Sequence, residues 1–150
     1  MKKEVEVIAH PEVWASKYVK REKERYNYAG IPFQREELEE VGARFNLTRE
    51  PVWLSEKIVT SGEIPIVTDY EPIDPGIYVK QGEGFSPDPI GDDQALFIKT
   101  EQGLVVILGC GHRGVINTLR HAQKVTGVEP IYAIVGGTHL LRASEAQLEL

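Results

Sequence analysis

Two histidines stand in matching surroundings. Gly109-Cys110-Gly111-His112 closes the apolar run Leu104 to Leu108, and Gly136-Gly137-Thr138-His139 closes the run Ile131 to Val135. Neutral imidazole is the commonest metal ligand in proteins, and metal ligands come in convergent sets. Glycines beside each histidine remove side-chain bulk and permit left-handed backbone, so that an imidazole can come close to an ion or a substrate. A lone histidine after a strand more often caps a helix or hydrogen-bonds within a loop, and for either residue alone that reading stands beside the metal one. The pair in matching settings favours shared metal binding.

The pair converges only if both runs are strands of one sheet. Gln94 to Thr100 and Gly103 to Leu108 are apolar runs separated by Glu101-Gln102, which suits an antiparallel hairpin. From Gly114 to Val125, Val115, Leu119 and Ala122 fall on one helical face, and Gly127 stands where a helix-ending glycine belongs. Strand 104–108, helix 114–125 and strand 131–135 therefore predict a right-handed crossover and a parallel pair. In such a pair both strand ends emerge at one edge, where open α/β sheets place their ligands. Neighbouring strands lie about 4.8 Å apart, close enough for two imidazoles to share one cation.

Upstream, Glu4 to Ala9 alternates like a short strand, and His10-Pro11 predicts a helix over 11–26, with proline at its first position. Lys17 to Arg25, interleaved with Glu22 and Glu24, is then a solvated helix face. After the break at Gly30-Ile31-Pro32, Leu38, Val41 and Phe45 predict a second helix over 34–45. β-Branched residues at 57–60 and 64–67 predict strands, the latter an edge because of Pro65. Gln81 to Asp93 is rich in Gly, Pro and acids and predicts a surface loop near function; a last helix is expected from about Ser144. His10 is expected at a helix N-terminus or pocket wall, and His121 in solvent.

The chain has 150 residues, 41% of them hydrophobic, enough for one globular domain spanning 1–150. Cys110 is the sole cysteine, so neither an internal disulfide nor a zinc ribbon can form. With 17 Lys and Arg against 23 Asp and Glu, the net charge of −6 repels a phosphate backbone, and no nucleic-acid partner is expected. No apolar run approaches the roughly 18 residues of a membrane span, and the N-terminus has no signal-peptide core. No membrane partner and a cytoplasmic location are expected.

Three runs carry a resemblance: Asp92-Asp93-Gln94-Ala95-Leu96, then Gly103 through Thr118 with its Gly109-Cys110-Gly111-His112, then Ile131 through Leu140 with its Gly136-Gly137-Thr138-His139. Together they resemble metal-dependent hydrolases of the metallo-β-lactamase superfamily, in the branch labelled dihydropterin ribofuranosylaminobenzene-5′-phosphate synthase. The match is specific over about 90–142 and looser over 5–18. It implies an α/β fold, a partial αββα sandwich with mixed sheets, corresponding to the C-terminal part of such a protein. The family's N-terminal H-x-H-x-D-H motif has no counterpart here.

The resemblance assigns His112 and His139 as retained ligands of a divalent metal, zinc by preference and weakly held for want of further ligands. Cys110 falls where related enzymes place a bridging ligand; a small residue finishing a strand is the equal alternative. Asp92 and Asp93 lie at the rim of the implied site, to bind metal, orient water or cap a turn. Arg113 and Asn117, with the backbone N–H groups at the helix start, are candidates for holding an anionic small-molecule substrate such as a phosphate ester, an ordinary surface charge being the equal alternative for Arg113. The expected function is a metal-dependent ester or phosphoester hydrolase, or part of one. The alternative is a non-catalytic, self-associating binding module. The expected partners are a complementary N-terminal half and further copies of the chain, because a half-sandwich leaves one sheet face uncovered.

Overall fold

A computed structural model describes residues 3–23, 25–71, 73, 75–140 and 144–145. The chain divides into two units, residues 1–49 with 74–92, and residues 50–73 with 93–150.

In the first unit, β1 (Val5–Ala9) pairs in parallel with a strand about 40 residues further on, and a short 3-10 turn, Pro11–Trp14, follows it. His10 caps that turn, its Nδ1 accepting from the Glu12 N–H at 3.1 Å, which is the helix-start role expected of it. The helix expected over 11–26 does not form. Ala15 is extended, and β2 (Lys17–Arg21) turns back into β3 (Arg25–Tyr28) as an antiparallel hairpin. The deciding pattern has period two: Tyr18 and Lys20 alternate with Lys17 and Val19, and β-favouring tyrosines recur at 26 and 28.

The second expected helix is cut short. α1 (Arg35–Glu40) opens with a reciprocal capping box between Gln34 and Glu37 and ends before Gly42, whose φ is +113°. β4 (Ala43–Leu47) then leaves to pair with β1, taking Phe45 to an edge-on contact with Trp14 at 5.1 Å. Val41, expected on the buried face, is exposed.

After Ile58–Thr60, a strand of the second unit called β5 here, β6 (Ile77–Gln81) and β7 (Gly84–Pro87) form a hairpin whose second strand falls within the surface loop expected over 81–93. The resulting antiparallel sheet has the order β3-β2-β6-β7. Its ring cluster includes Tyr26 stacked on Phe85 at 3.9 Å and Tyr18 edge-on to both Tyr28 and Phe85. The Lys17 ammonium lies between Asp88 and Asp92 at 2.7 and 2.6 Å. Burial opposes its charge, but hydrogen bonds and attraction from the two carboxylates outweigh that and raise its pKa above the ordinary 10.5.

The second unit follows the sequence reading more closely. β8 (Ala95–Thr100) and β9 (Gly103–Leu108) form the hairpin, α2 (Val115–Thr126) crosses over, and β10 (Ile131–Val135) pairs in parallel with β9. The mixed sheet has the order β10-β9-β8-β5. Phe97, Leu104, Val106 and Leu108 on its strands pack with Val59, Ile64 and Ala122 in one buried cluster, against which Val115, Leu119 and Val125 of α2 also rest. Gly127 ends α2 in the left-handed conformation.

Residues 64–67 are not a strand. The Ile64 carbonyl accepts from Arg113 Nε at 2.8 Å, and the Val67 and Thr68 N–H groups donate to Asn117 Oδ1 at 2.7 and 2.9 Å. Side chains at the start of α2 thus take the backbone groups that a ladder would have used, and Pro65 has no N–H to offer one. The helix expected from Ser144 lies, apart from Ser144 and Glu145, outside the described residues.

Candidate metal centre in the second unit

The turns that carry the two histidines press backbone against backbone. Gly137 N–H donates to the Gly109 carbonyl at 2.9 Å. A Cβ on Gly111, whose φ is +70°, would stand 2.8 Å from the Gly137 oxygen, and one on Gly137 would stand 3.0 Å from Cys110 Cα. No side chain fits between the turns, which is why both ends of the parallel pair read as glycine. Locked in this way, His112 and His139 come within 4.2 Å of each other, centroid to centroid, with rings tilted by 51°. His139 adopts a positive φ of 49°, a conformation rare for a residue with a side chain.

Two imidazoles at this separation can each place a nitrogen at about 2.0–2.1 Å from a common ion. Cys110 is exposed on the same turn, and among the described residues no three or more His, Cys, Asp or Glu groups converge as a ligand set. Two donors are thus what this geometry offers a metal.

The remaining candidates have other partners. Asp93 is buried and accepts from the Arg113 N–H at 2.9 Å, whereas Asp92, in the first unit, holds Lys17. Arg113 is 7% exposed, its Nε committed to Ile64 and its terminal nitrogen 3.7 Å from Glu63. Asn117 is fully buried; besides accepting from the 67–68 backbone, its Nδ2 donates to the Arg113 carbonyl at 2.9 Å. These bonds fasten the start of α2 to the 63–71 segment. His121, expected in solvent, is half-buried: its Nε2 bonds the Ser61 carbonyl at 2.8 Å and its ring meets the edge of Phe97.

Sequence reasoning missed Glu71. Its carboxylate accepts from Ile116 N–H at 2.7 Å, Asn117 N–H at 2.8 Å and the Thr68 hydroxyl at 3.1 Å. The N-cap of α2 is Gly114, which has no side chain to serve those donors. That lack leaves room for a cap from elsewhere in the chain, but nothing in the sequence says which residue supplies it. The backbone N–H groups at 116 and 117, considered above for an anionic substrate, thus already hold an anion from the chain itself.

No family model matches the chain. It is 30% identical to 7,8-dihydropterin-6-methyl-4-(β-D-ribofuranosyl)-aminobenzene-5′-phosphate synthase of Methanocaldococcus jannaschii, over 97% of this chain and 51% of that protein. An uncharacterized protein of the same organism is 28% identical over 95% of this chain and 50% of its own length. The chain spans about half the length of these curated relatives. Among solved structures, a metal-dependent hydrolase of the β-lactamase superfamily superposes with a TM-score of 0.74 at 26% identity, covering 98% of this chain and 54% of that one. The fold is α/β with mixed sheets, of the metallo-β-lactamase superfamily type.

Proposed function

We propose that this chain is the C-terminal, metal-binding part of a metal-dependent hydrolase acting on a small-molecule ester or phosphoester. The observation that carries the reading is the 4.2 Å approach of His112 and His139. It is supported by the likeness to a metal-dependent hydrolase of the β-lactamase superfamily. A bound divalent ion, zinc in this proposal, would supply Lewis acidity toward the substrate oxygen. Within the chain, the two imidazoles would hold the ion and the glycine turns would fix their spacing; Cys110, the third donor expected from the sequence, is not gathered with them among the described residues. With so few ligands the ion is held weakly and exchanges readily. Further donors would come from a complementary N-terminal half. Zinc titration of the parent chain and of the His112→Ala/His139→Ala variant tests the proposal, which expects uptake by the first and none by the second.

A second reading, a self-associating module, has its own observation. Among the described residues β10 is an edge strand of five apolar residues without a charge, and Tyr132, Ile134 and Val135 on it are 62%, 43% and 55% exposed. Such an edge offers a template for pairing with another strand. Among the described residues, no helix is long and apolar enough to cross a membrane.

A further inference from the structure

We infer that Glu71 is a positioning residue for His112: a carboxylate borrowed from the 63–71 segment that fixes the orientation of the histidine turn through the first turn of α2. The inference rests on the metal reading for its functional meaning, but its geometry stands apart from any metal. The residue after His112 has both peptide groups held. The Arg113 N–H donates to Asp93 at 2.9 Å, and its carbonyl accepts from Asn117 Nδ2 at 2.9 Å. Asn117 can make that bond only while its own backbone is in place, and its N–H is one of the two that Glu71 holds.

Three donors converge on the Glu71 carboxylate, two of them backbone groups at the positive end of a 12-residue helix. Charge-assisted bonds in that setting are shorter and stronger than neutral ones. The chain makes room for them. A Cβ on Gly114, where φ is +96°, would stand 2.5 Å from Glu71 Oε2 and 2.8 Å from Asn117 Nδ2, so any larger residue there pushes the carboxylate away. An N-cap serine or aspartate would have stabilised α2 locally. With glycine at that position, the helix start, and with it the His112 turn, depends on Glu71, more than 40 residues upstream.

The test compares Glu71→Ala, the near-isosteric Glu71→Gln and Ala122→Gly, which weakens the same helix two turns further on without touching the clasp. Two quantities are read: the NOE between the His112 and His139 rings in the metal-free chain, and the zinc dissociation constant. Glu71→Ala is expected to lose the NOE and to weaken zinc by about tenfold, the lower end of what outer-shell partners contribute. Glu71→Gln, which keeps one accepting oxygen, falls between Glu71→Ala and the parent, and Ala122→Gly keeps both readouts despite its lower melting temperature. Retention of the NOE in Glu71→Ala, or an equal loss in Ala122→Gly, would reduce Glu71 to an ordinary helix cap and overturn the inference. If Glu71→Ala does not fold, the NOE of Glu71→Gln decides, weakened or unchanged. A parent that takes up no zinc would sink the metal reading alone, and the NOE would still decide for Glu71.

Discussion

Lys17 shows what a single residue contributes when its partners are buried. It bridges Asp88 and Asp92, whose side chains are 3% and 15% exposed, while its own is 13% exposed. Removing the ammonium leaves two carboxylates facing each other without a counter-charge, so Lys17→Met should cost about 3 kcal/mol in a denaturant titration. The pH dependence follows from the raised pKa. A cation whose folded-state pKa exceeds its unfolded 10.5 contributes stability that is complete below that value and fades as pH climbs through the folded one. The parent should therefore lose stability above pH 10.5 through this group, and Lys17→Met should lack that alkaline contribution; equal slopes in both proteins would refute the assignment. In sequence, Lys17 looks like one of several solvated charges, because its partners lie 71 and 75 positions away.

At the scale of elements, the two glycine turns carry the geometry of the site. Gly111→Ala adds a Cβ 2.8 Å from the Gly137 carbonyl at a backbone φ of +70°. Strain of that kind costs about 1–3 kcal/mol, and relieving it must separate the turns. The variant should melt earlier and lose the NOE between the histidine rings; an unchanged NOE would mean the turns do not set the spacing. This half of the chain was legible because its signals are local and agree with one another: Val115, Leu119 and Ala122 give a helical period, Gly127 a stop, and Ile131 to Val135 a strand. The 11–26 segment was not. Pro11 after His10 imitates a helix start, yet the turn ends at Trp14, and the tyrosines beyond it pair across strands that include β6, some 60 residues away. Residues 64–67 misled for the same reason: their β-branched side chains suit a strand, while their backbone partners are Arg113, just before a distant helix, and Asn117 in its first turn.

For the whole molecule, we propose self-association through the β10 edge and weak metal binding through His112 and His139. The β10 edge makes the first part measurable. Light scattering should give a mass above 16.8 kDa that rises with concentration, and Ile134→Lys, placing a charge on that edge, should return the monomer. A concentration-independent monomer in the parent would end the association reading. Zinc binding by the purified parent chain and by the His112→Ala/His139→Ala variant, each followed by chelation and a melting curve, tests whether the two histidines hold a metal. The parent should carry exchangeable zinc, stripped by chelator without unfolding, the double variant none, and the two metal-free chains should melt at nearly equal temperatures. Zinc held equally well by both proteins, or by neither, would contradict the metal reading.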